Sequence, residues 1–234
     1  MQTLYRDDCI LYINQFREFI NSTSPISDES WKKICDIMVF KKIEKGVRIL
    51  DYMHCENAIR FIGKGIVKCE DHYNDKSFVY DFRVAPIVLG ETVSFLNNIR
   101  SRITLETVTD CELIELPRDP FLEIIFSNLD VSKFCAVGVA NYLGMTHYKQ
   151  ALLRTLDAEE RYKRFLKEFP TVALEVKLED IASYIGVTQQ SLSRIRKNIT
   201  WGQNEKELEY LSNELEVVHG KMNKKSSNYK VPAF

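Results

Sequence analysis

The segment that most constrains the fold of this chain is residues 178–197, LEDIASYIGVTQQSLSRIRK. Its apolar residues recur where two short helices would bury against each other and against a core, at Ile181, Ile185, Val187, Leu192 and Ile195. Ala182 is small at the point where the second helix would cross the first. Gly186 lies at the bend, where it can adopt a positive φ at little cost, and Thr188 can cap the second helix. The segment therefore predicts a helix-turn-helix.

The outer face of the second helix carries only uncharged polar and basic side chains. Its residues follow the spacing i, i+1, i+4, i+5 and i+8, and they are Gln189, Gln190, Ser193, Arg194 and Lys197. No acidic residue lies between Asp180 and Glu205. Such donors suit base edges and phosphates, which favours binding to double-stranded DNA over an ordinary amphipathic hairpin with a solvated face. We assign base reading mainly to Arg194 and Gln190, and phosphate contacts to Thr188 and Lys197.

The composition is that of a folded protein, since 45% of the 234 residues are hydrophobic and 11% are aromatic. No apolar run approaches the roughly 20 residues of a membrane span. The first residues, MQTLYRDDC, lack the pattern of an export signal, so a cytoplasmic location is expected. The six cysteines and four histidines are scattered without metal-ligand spacing. We predict no metal site, no cofactor and, in the absence of a nucleophile–base motif or phosphate-binding loop, no enzyme.

The order of predicted elements indicates an α+β chain. The first 40 residues look helical, and Ser27 can cap the second helix. Seven short segments rich in β-branched and aromatic residues follow, namely VRILDY, IRFI, IVKCE, SFVYDF, PIVLGE, ITLETV and CELIEL. This density of short strands predicts a jelly-roll β-barrel, which we call the β-roll.

Four parts are predicted along the chain. They are a sensor β-roll with N-terminal helices at 1–130, a dimerisation helix at 131–156, a helix-turn-helix domain at 157–200, and an extra helix at 205–219 within a tail at 201–234. Asp157 and Glu160 form a capping box that opens the third part.

Apolar and small residues alternate at spacings of four and three along the long helix. The stripe is Phe134, Gly138, Asn141, Met145, Tyr148 and Leu152, and all of these except Gly138 are predicted to form the dimer interface. Packing of this stripe against the β-roll of the same chain is the alternative.

With a β-roll, a long helix and a C-terminal helix-turn-helix in that order, the chain resembles the Crp–Fnr family of bacterial transcription regulators. Its specific motifs are Gly90-Glu91, LDAEERY at 156–162 and IASYIGVTQQSLSRIRK at 181–197, and ASYIGVT…LSRIR resembles the Bacteroidetes branch. The resemblance implies a cyclic nucleotide-binding-like β-roll and a homodimer that reads a two-fold symmetric site. RNA polymerase is a further candidate partner. The family's usual Arg and Glu base readers correspond here to Gln189 and Gln190, so the target sequence is not implied.

The resemblance also implies an effector pocket in the β-roll. Its residues would be Gly90, Glu91, Ser101, Arg102, Thr146 and His147. In members that bind cyclic AMP, an Arg-Ser pair holds the phosphate, whereas this chain has Ser101-Arg102 in the reverse order. Adjacent strand residues point to opposite sides, so Arg102 is expected to point away from the phosphate position. We therefore predict that cyclic AMP is not the effector, and that the β-roll is either empty or occupied by an unknown small molecule other than a cyclic nucleotide. A cyclic-nucleotide-responsive regulator, and a sensing module whose C-terminal helices bind a protein, are the alternatives.

Overall fold

A computed structural model of the chain describes residues 7–74 and 76–202. The chain divides into two compact units, the first ending at Val187 and the second beginning at Thr188. The predicted helix at 205–219 and the tail that follows it lie outside the described residues. The four-part division along the chain stays a prediction.

Helices lie on both sides of the strand region in sequence. Those before and within it are α1 (Asp7–Thr23), α2 (Asp28–Ile37) and α3 (Thr92–Asn97). Those after it are α4 (Arg118–Ser127), α5 (Leu129–Thr155), α6 (Ala158–Glu168), α7 (Val172–Glu175) and α8 (Leu178–Tyr184), and the second unit contains α9 (Gln189–Gly202). The predicted caps are confirmed, because the Ser27 side chain accepts from Ser30 at the start of α2, and Asp157 and Glu160 form the capping box of α6.

The strands form two antiparallel four-stranded sheets. They are β1 (Val39–Ile43), β2 (Arg48–Leu50), β3 (Ala58–Lys64), β4 (Ile66–Tyr73), β5 (Lys76–Val84), β6 (Ile87–Leu89), β7 (Ile103–Thr107) and β8 (Cys111–Pro117). The strand orders are β1-β8-β3-β6 and β2-β7-β4-β5. This arrangement confirms the mixed α+β class and the β-roll.

Two apolar layers stabilise the β-roll. The layer between the two sheets consists of Leu50, Ile62, Val67, Cys69, Leu89, Leu105, Cys111 and Leu113. The second layer lies between helices and the opposite face of the first sheet, and it includes Phe16, Ile20, Phe61, Ile114, Phe121, Val131 and Phe134. Because Val131 and Phe134 belong to this second layer, the first turns of α5 are packed against the β-roll.

Candidate functional site

The turn after β6 contains Gly90 and Glu91, the first residues of the predicted effector pocket. A Cβ atom at Gly90 would meet the terminal methyl group of Ile59, so a larger residue here would require the Ile59 side chain to shift. The Glu91 carboxylate caps α3 by accepting hydrogen bonds from the backbone N–H groups of Val93 (3.1 Å) and Ser94 (2.6 Å). Glu91 therefore has a role in the fold, which is to start a helix.

The predicted phosphate-binding pair, Ser101 and Arg102, is split between interior and solvent. Ser101 is buried, and its hydroxyl accepts a hydrogen bond from the N–H of Ile103 at 3.0 Å. Its own N–H donates to the carbonyl of His54 at 2.8 Å. Arg102 is exposed. The one charged group of this pair therefore lies in solvent.

The last two predicted pocket residues, Thr146 and His147, lie on α5. The Thr146 hydroxyl donates to the carbonyl of Tyr142, one turn earlier, at 2.9 Å. His147 is exposed. The hydroxyl that the resemblance would assign to a ligand is thus bonded within its own helix.

A buried charged cluster between β5 and α5 was missed by the sequence analysis. Asp81 of β5 is 2% exposed and forms an ion pair with Arg83 at 3.0 Å. The ammonium of Lys149, on α5, forms a second ion pair with the same carboxylate. The Arg83 guanidinium lies 4.7 Å from the ring centroid of Tyr142, also on α5. This cluster, which we call the β5–α5 charge cluster, joins strand β5 to the long helix α5.

Electrostatics explains why these charges persist in the interior. Burial is the largest single effect on the pKa of Arg83 and acts to lower it. Asp81, with smaller contributions from Cys69, Tyr142 and Tyr80, acts in the opposite direction, and the pKa is raised. The available sequence signal was the occurrence of Asp81 and Arg83 at alternate positions of the segment FVYDFRV, whose other residues are apolar or aromatic. Their partners on α5 lie about 60 residues further along the chain, where no local pattern identifies them.

Helix α8 is the first helix of the predicted helix-turn-helix. Its inner residues Ile181 and Ala182 are buried, as is Ile185 after its end. The chain then turns through Gly186, which has a φ of 71°, as the sequence predicted. The N–H of Val187 donates to the carbonyl of Ala182 at 2.9 Å and closes the turn.

Helix α9 carries the residues assigned to DNA. The Thr188 hydroxyl accepts a hydrogen bond from the N–H of Ser191 at 3.2 Å and caps the helix. The exposed members of the predicted face are Gln189, Gln190, Arg194 and Lys197, and Ser193 is half-buried. Leu192 is buried, which gives α9 one apolar and one polar side.

The predicted dimer stripe on α5 is divided in the structure. Phe134 is 7% exposed and belongs to the core of its own chain. Asn141, Met145 and Tyr148 are exposed, and Leu152 is half-buried. Further exposed apolar residues, which the sequence analysis did not select, are Val139, Leu143 and Leu153. The exposed part of α5 that could contact a second chain therefore begins beyond Phe134.

Two findings concern only the part of the chain that the structure describes. None of its helices is long and apolar enough to cross a membrane. It also contains no group of three or more His, Cys, Asp or Glu residues placed to hold a metal ion.

Comparison with known proteins gives matches at the level of structure. No protein-family model matches the sequence, and no curated protein matches it. A protein described as a transcriptional regulator of the crp/fnr family from Eubacterium rectale is similar with a TM-score of 0.65 and 15% identity, over 80% of this chain and 95% of that one. The c-di-GMP-responsive global regulator CLP of Xanthomonas campestris is similar with a TM-score of 0.62 and 16% identity, over 75% of this chain and 93% of that one.

A third similar structure is FixK2 from Bradyrhizobium japonicum, with a TM-score of 0.59 and 20% identity, over 75% of this chain and 97% of that one. The structural neighbours are thus Crp/Fnr-type regulators, together with cyclic nucleotide-binding proteins. At these identities the likeness establishes the fold. The assignment to the Bacteroidetes branch stays a prediction.

Proposed function

We propose that this protein is a cytoplasmic, DNA-binding transcription regulator of the Crp–Fnr type that acts as a homodimer and not as an enzyme. The observation that carries the proposal is the exposed face of α9, which presents Gln189, Gln190, Arg194 and Lys197 without an acidic neighbour. Amide and guanidinium groups can each make two hydrogen bonds to a base edge in the major groove. The capped start of α9 and the positive φ at Gly186 support a helix-turn-helix at this position.

The fold of the β-roll supports the same function, because its structural neighbours are regulators. The runner-up is a small-molecule sensor whose C-terminal helices bind another protein. DNA binding releases counterions and so weakens steeply with salt, whereas an apolar protein groove need not. A steep salt dependence therefore favours DNA. RNA polymerase is a further candidate partner of a DNA-bound regulator.

The primary test is selection of bound fragments from random DNA, followed by affinity measurements with Arg194→Ala and Lys197→Ala. A bidentate base contact contributes about 1–3 kcal/mol of discrimination, so Arg194→Ala should weaken binding and also flatten the sequence preference. Lys197→Ala should weaken all sequences about equally, because it removes a phosphate contact.

Lys33→Ala is a matched control, since it removes one exposed positive charge from α2, a helix to which no DNA contact is assigned. It should leave DNA affinity unchanged. If Arg194→Ala preserved both affinity and sequence preference, the proposed docking of α9 would be wrong.

We further propose that the β-roll binds no cyclic nucleotide, and that it is either empty or occupied by a different small molecule. A phosphodiester taken into a dry pocket needs a charged donor, since an unpaired buried anion costs several kcal/mol. The Ser101 hydroxyl is bonded to the Ile103 backbone, and Arg102 is exposed. Calorimetry with cyclic AMP and cyclic GMP tests this proposal. Micromolar binding that is abolished by Arg102→Ala would contradict it.

A further inference from the structure

Helix α8 is attached to the second sheet of the β-roll by side chains. The Ser183 hydroxyl accepts a hydrogen bond from the backbone N–H of Val79, on β5, at 2.8 Å. The Asp180 carboxylate lies 3.5 Å from the ammonium of Lys68, on β4. Both polar contacts lie on the side of α8 that faces the roll. The helix that precedes α9 is therefore held by the sensor strands themselves.

An aromatic cluster reinforces this attachment. Phe82 of β5 packs against Tyr184 of α8, with ring centroids 5.5 Å apart. Phe165 of α6 and Phe169 complete the cluster, at 5.9 Å and 6.3 Å from Phe82. Phe82 and Phe165 are almost fully buried. A cluster of this kind contributes apolar burial and favourable ring geometry.

Lys149 connects this aromatic cluster to the β5–α5 charge cluster. Its ammonium pairs with Asp81 and lies 5.9 Å from the ring centroids of both Phe169 and Tyr184. A cation at this distance from a ring face is attracted to it. The same side chain thus contacts a carboxylate of β5 and an aromatic ring of α8, and its own backbone belongs to α5.

We propose that Lys149 is a positioning residue that makes the placement of α8 depend on how strand β5 packs against α5. This inference rests on the proposed function, because α8 precedes the helix assigned to DNA. An effector or a partner that alters the packing of β5 on α5 moves Asp81 relative to Lys149. That movement changes the contacts of Lys149 with Tyr184 and so releases or tightens α8 on the roll. Position 149 acts through Tyr184 and itself touches no DNA.

The test compares three full-length variants with the wild-type protein. Lys149→Met removes the charge while keeping an apolar stem, and Asp81 retains Arg83 as its partner. Lys149→Arg keeps the charge. Arg154→Met is the matched control, because Arg154 is an exposed basic residue on the same helix. Two quantities are measured for each protein. The first is amide hydrogen exchange in α8, at Val79, in β3 and in β8, and the second is the affinity for DNA.

We expect Lys149→Met to raise exchange in α8 and at Val79 by about fivefold or more while β3 and β8 keep their protection, and to change DNA affinity by about fivefold or more. Lys149→Arg and Arg154→Met should match the wild type. Unchanged exchange in α8 overturns the proposal, as does faster exchange in α8 with unchanged DNA affinity.

A uniform rise in exchange across β3, β8 and α8 would mean a purely structural role and would also overturn the proposal. If the wild-type protein bound no DNA, the proposed function would fail. The exchange pattern of α8 would still decide whether Lys149 positions that helix.

Discussion

At the scale of single residues, three helix starts depend on one side chain each. Ser27, Asp157 and Thr188 each accept a hydrogen bond from a backbone N–H three residues further along. Both partners of such an interaction lie within one short stretch of sequence, so the caps could be predicted from the sequence. Their local nature also means that each would form early and independently of the sheet.

Asp130 shows why other residues could not be assigned in this way. Its carboxylate accepts from the Ser27 N–H and the Ser30 hydroxyl, each at 2.8 Å, although those residues lie 103 and 100 positions earlier. It also accepts from the N–H of Val131 at 2.9 Å. The Ser27 N–H is the largest of the effects that lower the pKa of Asp130 to about 2. The residue therefore ties the start of α5 to the start of α2.

We expect Asp130→Asn to destabilise the protein by about 1 kcal/mol at pH 7, a value discounted because the carboxylate is only partly buried. Because the pKa of Asp130 is lowered in the folded state, its carboxylate stabilises the native state at pH values above the ordinary pKa of 3.8. This stabilisation is lost as the pH falls toward about 2. Urea unfolding at several pH values measures the effect. The difference between variant and wild type should shrink below pH 4, and a difference that stayed constant down to pH 2 would contradict the assignment.

At the scale of elements, β1 and α3 were not predicted from the sequence. Strand β1, VFKKI, has two adjacent lysines and no clean alternation. It is stabilised by β8, since Lys41 pairs with Glu115 at 2.6 Å and Lys42 with Glu112 at 3.2 Å. Helix α3 has six residues, and it starts at the Glu91 cap that the resemblance assigned to a ligand. Strand β1 therefore depends on contacts with a strand about 70 residues away, whereas the cap of α3 is local and was assigned to a ligand instead of to a helix start.

Asp180, on α8, gives a stability prediction opposite to that for Asp130, because replacing its carboxylate should stabilise the protein. Burial raises the pKa of Asp180 despite the nearby Lys68, with Glu70 and Glu179 adding to the rise. A raised folded-state pKa means that ionisation weakens the native state as pH rises above the ordinary value of 3.8. Asp180→Asn should therefore raise stability at pH 7 by up to about 1 kcal/mol, since the amide is buried at a lower cost than the carboxylate.

Thermal unfolding of Asp180→Asn and wild type between pH 4 and pH 8 measures this difference. Glu18→Gln is the matched control, because Glu18 is an exposed carboxylate on α1 and is not among the groups that shift the pKa of Asp180. The advantage of Asp180→Asn should grow with pH, and a variant less stable than wild type at pH 7 would show that the Lys68 pair dominates.

At the scale of the whole molecule, α5 spans 27 residues, or about 40 Å, and only its first turns belong to the core of its own chain. Beyond them it exposes large apolar side chains, among them Leu143, Met145 and Tyr148. Exposed apolar residues in such number on one helix are typical of an interface. They support the proposed dimer.

We expect Met145→Glu and Leu152→Glu to produce monomers, because a charge buried in a seam without a partner costs several kcal/mol. Monomers should lose most DNA affinity, since they bind half of a two-fold site whose halves lie roughly 34 Å apart. Light scattering measures the assembly state. Gln150→Glu, an equal charge change at an exposed position of the same helix, should stay dimeric. A dimer that persisted in both test variants would place the interface elsewhere.

Only part of the candidate site could be predicted from the sequence, because a sequence shows the faces of single elements but not which faces pack together. The exposed face of α9 follows from helical periodicity, which a sequence contains directly. The β5–α5 charge cluster required knowing that Asp81 and Lys149, which are 68 residues apart, lie in contact. Periodicity identifies faces of elements, whereas the pairing of faces depends on the packed structure.

The exposure of the side chains that we propose to read bases, on α9, has an evolutionary consequence. Substitutions at exposed positions away from caps and buried networks change stability by about 0.5 kcal/mol or less. Gln189 and Gln190 occupy such positions, whereas the Thr188 cap does not. Under the proposed function, descendants of this chain can therefore acquire new promoters by substituting those two glutamines while the inherited fold is kept.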